Sequence, residues 1–271
     1  MSPSWRDRLL IGLAPDRVAA LHLRRGLRPA LAADMVRDCA VAGAAQPWAG
    51  ALEALESLLA ELPVAGEARV VLSNHFVRYG KVPWTEGVFA AADRKAMAAG
   101  CFRAVYGEMA DGWQVAVEPP RFGCDGLAAA ADRALVDALR ACLAGRRLKL
   151  TVLRPHLTAA FDRCRPRLES GDGGFVLVEP GCVTALFCRQ GIWAEVANRR
   201  YGRQTEGEAA RIVRQCADAD QVQGGEGPLA LLSPGSAPAM DSVGGRSLRR
   251  LEGVGGPWPE DPWRSLAWSA A

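Results

Sequence analysis

The chain has 271 residues, 49% of them apolar, and sets 33 Lys and Arg against 30 Asp and Glu for a formal net charge of +3. That is one large domain or two modest ones with material for a sizeable core, and it excludes a charge-rich disordered chain and a strongly basic nucleic-acid binder. No apolar run reaches the ~20 residues of a membrane-spanning helix, and Leu9–Leu13, after the charged Arg6, Asp7 and Arg8, is too short for a secretory signal, so cytoplasmic residence is expected.

Leu9 to Leu23 reads as two short strands around the turn Ala14-Pro15-Asp16, and Ala30 to Val36 as a further extended segment. Leu52, Leu55, Leu58, Leu59 and Leu62 recur at helical spacing with Glu53, Glu56 and Glu61 between them, and Pro63 ends the run. Such a leucine stripe needs a flat apolar surface, most simply a sheet. Ala68 to Ser73 is predicted as a central strand with Phe76 to Val82 as its neighbour, closed by Pro83. Residues 88–109, carrying Phe89, Ala92, Ala96, Met97, Gly100 and Val105, are predicted helical; Trp113 to Val117 is a strand stopped by Pro119-Pro120. Residues 126–144 read as one helix with Leu127, Ala131, Leu135, Ala138, Leu139 and Cys142 inward, followed by a strand over Leu148–Leu153 and a short helix after Pro155.

The rhythm changes at the turn Ser170–Gly174. Three strands, Phe175–Glu179, Val183–Arg189 and Ile192–Asn198, are punctuated by Pro180-Gly181 and Gln190-Gly191, a meander of hairpins. A helix begins at Thr205, with Glu208 at capping-box spacing and Ala209, Ile212, Val213 and Cys216 as its apolar stripe, and Leu229–Ser233 adds a last strand. The whole is α/β with antiparallel meanders, in two related halves of which the second is shortened: 8–168, then 172–235. The tail, 236–271, is rich in Gly, Pro and Ser, carries Trp258, Trp263 and Trp268, and is expected to lie across the body or stay partly loose.

Little in the chain announces catalysis. The eight cysteines are scattered without the two-residue spacing of a zinc or redox motif; Cys182 and Cys188 are the nearest pair, on one strand face, and the set reads as small buried hydrophobes, with a metal cluster or redox pair as the alternative. His22, His75 and His156 lie in separate segments; a fold could gather them with Cys124 or Asp125 into a metal site, but ordinary strand, loop and helix-start histidines are expected and no metal is assigned. Ser73-Asn74-His75 holds nucleophile and base residue types, yet adjacent residues on an extended chain point apart, and no Gly-x-Ser-x-Gly elbow is present. The basic spots Arg24-Arg25, Arg146-Arg147-Lys149, Arg199-Arg200 and Arg249-Arg250 lack an interleaved aromatic pattern for nucleic acid. Arg78 and Lys81, between large apolar residues, suit a solvated edge or an acidic-peptide surface, and a sheet edge could accept an extended peptide.

The stretch Ala68 to Trp84, ARVVLSNHFVRYGKVPW, resembles a segment of the actin-like cytoplasmic proteins of type IV pilus and type II secretion assembly, the PilM, MshI and GspL group, in which an extended pair delivers an Arg and ends in Pro-Trp. The meander Gly174–Asn198 is similar to the opening of that group's second subdomain. The resemblance implies an actin-like ATPase fold of two ribonuclease-H-like subdomains. It implies a scaffold on the inner face of the inner membrane, held there peripherally by a membrane partner's cytoplasmic segment and by other assembly subunits. It makes Arg78, Tyr79, Lys81 and Trp84 candidate partner-binding residues.

In that group two hairpin turns would close on a nucleotide's phosphates, through amides of small residues and an acid that manages magnesium. The corresponding turns here are Gly12-Leu13-Ala14-Pro15-Asp16 and Glu179-Pro180-Gly181-Cys182. Gly12 stands where the leading Asp is expected, and Pro15 and Pro180 each remove an amide donor. Gly12, Asp16, Glu179 and Gly181 are thus candidate remnants of a degenerate nucleotide site. Gly253, Gly255 and Gly256 restore no phosphate loop, having no strand-to-helix context. The expectation is a pseudo-ATPase without a bound cofactor. The alternatives are a nucleotide-binding or ATP-hydrolysing protein in which Glu179 replaces the usual Asp, and a ribonuclease-H-like enzyme.

Overall fold

A computed structural model describes residues 6–27, 30–40, 43, 46–88, 90–118, 121–168, 171–202, 206–235, 240–252, 257 and 260–271. The elements in chain order are strands β1 (Arg8–Leu13), β2 (Arg17–Arg24) and β3 (Ala30–Asp38), helix α1 (Ala49–Glu61), β4 (Gly66–Leu72), β5 (Val77–Val82), α2 (Ala91–Tyr106), β6 (Trp113–Val117), β7 (Gly126–Asp132), α3 (Arg133–Gly145), β8 (Leu148–Pro155) and α4 (His156–Cys164). There follow β9 (Gly173–Glu179), β10 (Cys182–Arg189), β11 (Ile192–Arg200), α5 (Glu206–Val222), β12 (Leu229–Leu232), β13 (Ser242–Val243), β14 (Arg246–Arg250) and α6 (Pro262–Trp268). The expectations placed on Phe89, Pro119, Pro120, Ser170, Thr205, Gly253, Gly255, Gly256 and Trp258 lie outside the described residues.

Contacts divide the chain into two compact units, one of Met1–Phe76, Ala134–Arg163 and Gly253–Ala271, the other of Val77–Arg133 and Cys164–Glu252. The first is built on a five-stranded sheet in the order β3-β2-β1-β4-β8. β1, β2 and β3 form an antiparallel meander, while β4 joins β1, and β8 joins β4, in parallel. β1 is buried from Leu9 to Leu13, which requires cover on both faces. Leu10, Ala14, Ala19, Leu21 and Val71 pack with Leu266 and Ala267 from α6 and with Ala270, two residues past its end. α1 packs on β2 and β3. It buries Leu52, Leu55, Leu58 and Leu59, at about 1.5–3 kcal/mol for each fully buried side chain, and keeps Glu53 and Glu56 in water. Leu62 leaves it in extended conformation just before Pro63.

The second unit repeats the plan. Its main sheet runs β11-β10-β9-β12-β14-β13, again an antiparallel meander followed by two parallel additions. α5 covers one face, packing Ala209, Ile212, Val213, Cys216 and Ala217 against Val176, Val178, Val183, Ala185 and Phe187. The shortening is in helices: among the described residues none intervenes between β12 and β14. A separate antiparallel sheet, β5-β7-β6, belongs to this unit and carries α2, which seats Ala98 and Phe102 against Val82, Val115, Ala128 and Ala130.

Several expectations are corrected. β5 is not the neighbour of β4, whose two edges are taken by β1 and β8. Residues 126–132 are a strand, and the helix starts only at Arg133; pairing on both edges, to β5 and to β6, overrides alanine's helical preference. The tail supplies two structural pieces. β13 and β14 extend the second sheet, and α6 completes the core of the first unit, so a boundary at 235 cuts through one sheet. A register shift opposite Phe187 and Cys188 leaves Ala194 as the extra residue of β11, and β10 itself stays regular. Among the described residues no helix is long and apolar enough to cross a membrane.

Candidate functional site

The turn between β1 and β2 runs from Ala14 to Arg17. It is closed by the Ala14 amide, which donates to the Arg17 carbonyl at 3.0 Å. The Asp16 carbonyl accepts from Cys39 N at 2.8 Å, and the Leu13 carbonyl accepts from Ser73 N at 2.9 Å. Gly12, expected as the leading residue of this turn, instead lies inside β1, and a Cβ there would stand 2.7 Å from the backbone nitrogen of Ala267. It needs to be glycine because α6 crosses there. The Arg17 guanidinium pairs with Asp38 at 2.7 Å and lies over the Trp263 ring, 4.1 Å from its centroid. Pro15 brings no amide, and the turn's neighbours are groups of its own unit.

In the second unit, Glu179 pairs with Cys182 across a two-residue turn, Pro180-Gly181. Gly181 has φ +80°, the left-handed value required at the third position of a type II turn after a proline. Tyr201 closes this turn from outside: its amide donates to the Gly181 carbonyl at 2.9 Å and its hydroxyl to the Glu179 carbonyl at 3.1 Å. Burial raises the phenol's pKa, against a smaller lowering by the Gly181 amide. Register puts Glu179, Cys182 and Arg200 on one rung of the sheet, with Thr184 and Asn198 two rungs along on the same face. Glu179 is buried. The Cys182 thiol is pushed far up by burial and then by Glu179, so it is no nucleophile; it donates to Asn198 Oδ1 at 2.9 Å. Asn198 Nδ2 in turn donates to the Val77 carbonyl of β5 at 3.1 Å. This brings Arg78 beside Arg200, whose pKa is lowered first by burial and next by that neighbour.

Arg78, Tyr79, Lys81 and Trp84 do not converge. Arg78 shares its strand face with Gly80, against which the Phe102 ring of α2 packs. Tyr79 is on the opposite face and buried. Lys81 Nζ reaches Asp125 Oδ2 at 3.3 Å, and the other oxygen of Asp125 accepts from the Trp84 amide at 2.9 Å. The Trp84 ring meets Phe122 edge-on at 5.1 Å, and Phe122 is 85% exposed. Beside them lies a shallow depression between Val82, Trp84, Val88, Met97 and Val117, with Arg94 on its wall. Its lining offers no nucleophile and base pair.

The other candidates stay apart. His22 Nε2 meets Asp7 at 3.1 Å, and Asp7 is held below the usual carboxylate range chiefly by the Arg25 amide and also by His22, against the opposing effect of burial. His75 sits in a single turn of 3₁₀ helix at Asn74–Phe76, its amide on Ser73 Oγ. Asn74 Oδ1 accepts from Leu157 N in the first turn of α4, so this segment caps a helix, and the buried His156 begins that helix. Among the described residues no three of His, Cys, Asp and Glu gather as a metal site. Asp125, Phe122, Asn198 and Tyr201 carry no local sequence signal for these roles, because register and loop return bring them in; Arg200 showed only as part of a basic spot.

No family model matches the chain, and no curated protein matches it in sequence. Solved structures do resemble it. A PilM-PilN type IV pilus biogenesis complex matches at 14% identity and TM-score 0.69 over 97% of each chain. The cytoplasmic domain of EpsL, an inner membrane component of the type II secretion system of Vibrio cholerae, matches at 14% and 0.59 over 97% of this chain and 94% of that one. A Bacteroides thetaiotaomicron protein of actin-like ATPase fold and unknown function matches at 8% and 0.61 over 98% and 96%. The chain has the actin-like fold, with the α/β architecture expected from its sequence.

Proposed function

We propose that this protein is a non-catalytic scaffold on the cytoplasmic side of an envelope machine of the type IV pilus or type II secretion kind, where it binds an inner-membrane assembly partner. The observation that carries the reading is the closure of both turns by the chain's own groups. Pro15 in the first and Pro180 in the second bring no amide, the Ala14 amide is taken by the Arg17 carbonyl, and Tyr201 packs onto the second turn through its carbonyls, all of which supports a reading without a phosphate cradle. The likeness to the PilM-PilN complex and to cytoplasmic EpsL supports the choice of machine. The depression lined by Val82, Trp84, Met97 and Val117 is the place proposed for an apolar residue of a partner segment.

Two measurements test this. Capture from detergent-solubilised membranes with the full chain is expected to recover an envelope-assembly protein, and Trp84→Ala is expected to weaken recovery about tenfold, the scale of one lost aromatic anchor. Recovery of no envelope component removes the scaffold reading. Magnesium-dependent ATP turnover is expected to stay at the buffer level; steady hydrolysis that vanishes in Glu179→Ala replaces the scaffold with an ATPase whose acid is Glu179.

A further inference from the structure

We propose that α6 is a latch: it opens and closes on the first unit as a piece, ahead of the sheet beneath it, and so controls access to the apolar face of β1 and β2. At seven residues it is below the ~12–15 at which isolated helices become even marginal in water, so it is helical only while docked. Asp261 caps it, accepting from Trp263 N and Arg264 N at 3.0 Å, and Pro262 starts it. Its seat is specific. Leu266, Ala267 and Ala270 are buried against Leu10, Ala14, Leu21 and Val71, and Gly12 leaves just enough room for the Ala267 backbone.

The rest of its attachment is peripheral. Arg264 Nε meets Asp34 at 2.8 Å, Arg163 donates to the Trp268 carbonyl at 2.6 Å, and Arg17 and Arg163 lie over Trp263 and Trp268. Ties of this kind at a partly exposed rim are weak and salt-screened. Arg69 adds a long hydrogen bond to the Ala270 carbonyl at 3.5 Å, while the docked helix keeps its own Trp263 Nε1 buried without a hydrogen-bond partner. Water satisfies that donor once the helix lifts, so the docked state carries a cost that the open state does not. Opening uncovers Leu10, Gly12, Ala14 and Leu21 while leaving the meander's own hydrogen bonds in place.

Hydrogen exchange on the full-length protein, read by mass spectrometry, tests the latch. Residues 262–271 are expected to exchange at least about tenfold faster than residues 8–13, as a local opening requires. Equal rates in the two segments overturn the proposal. Gly12→Ala, whose Cβ would press on Ala267, is expected to speed exchange in 262–271 by roughly a further tenfold while β1 and β4 keep their protection. Unchanged exchange in that variant shows the seat to be loose, and loss of protection in 8–13 and 262–271 together shows helix and sheet to be one cooperative unit; either result overturns the latch.

Discussion

At the scale of single residues, burial decides which charges matter. Asp220 near the end of α5 is 2% exposed and receives Arg189 from β10 at 2.7 Å and Arg246 from β14 at 2.8 Å. Arg246 also donates to the Gly227 carbonyl at 2.6 Å, so one carboxylate ties a helix end, two strands and a loop. Asp220→Ala leaves the Arg246 guanidinium, itself 4% exposed, buried without its counter-charge, and is expected to cost about 3–5 kcal/mol. Asp38 makes an equally short contact with Arg17 but is 82% exposed. Asp38→Ala is therefore expected to cost no more than about 1 kcal/mol. Urea unfolding compares the two; equal midpoints for the variants contradict this ranking by burial.

Among the elements, β7 shows where local reading stops. Its sequence, Gly-Leu-Ala-Ala-Ala-Ala-Asp, continues at helical spacing into α3, and alanine is the best helix former. Only its two partners make it a strand: β5, which starts 49 residues earlier at Val77, and β6, which returns from α2 and ends at Val117, just ahead of the loop into β7 at Gly126. The amphipathic α1 and the meander β9–β11 were legible because their signals are local, a leucine stripe in one and Pro-Gly and Gln-Gly turns in the other. Once β7 is a central strand, its alanines have a different purpose: Ala128 and Ala130, each 1% exposed, let α2 lie close to the sheet. Ala128→Leu is expected to overpack that layer at about 1–3 kcal/mol, although it keeps a good helix former. A thermal melt with unchanged circular dichroism and a lowered midpoint is the expected result, and a variant as stable as the parent argues against the tight layer.

For the whole molecule, the course of the chain matters more than the count of its elements. Each unit is assembled from separated segments, and the chain passes from one to the other after Phe76, Arg133, Arg163 and Glu252. The candidate turns were legible from the two prolines, whereas their neighbours were not: Tyr201 reaches the second turn through the β10–β11 register, and Trp263 reaches Arg17 at the end of the first from nearly 250 residues away. The tail's composition suggested a loose strap because strands as short as β13 and helices as short as α6 leave little periodicity to read. Their burial has a consequence for any shortened chain. Ending the protein at Ser233 removes Leu248 and Leu251 from the second unit, together with Arg246, the buried partner of Asp220. The same cut takes Leu266, Ala267 and Ala270 from the first unit, which uncovers Leu10 and Leu21 as opening of the latch does, with the sheet still paired. Losing buried Leu side chains at about 2–5 kcal/mol each exceeds the 5–15 kcal/mol that holds a typical domain folded once several go together. The second unit of the shortened chain is therefore expected to lose its cooperative melting transition while the sheet of the first unit keeps one, and an unchanged transition for the whole chain would mean that β14 is an ornament on a core that closes without it.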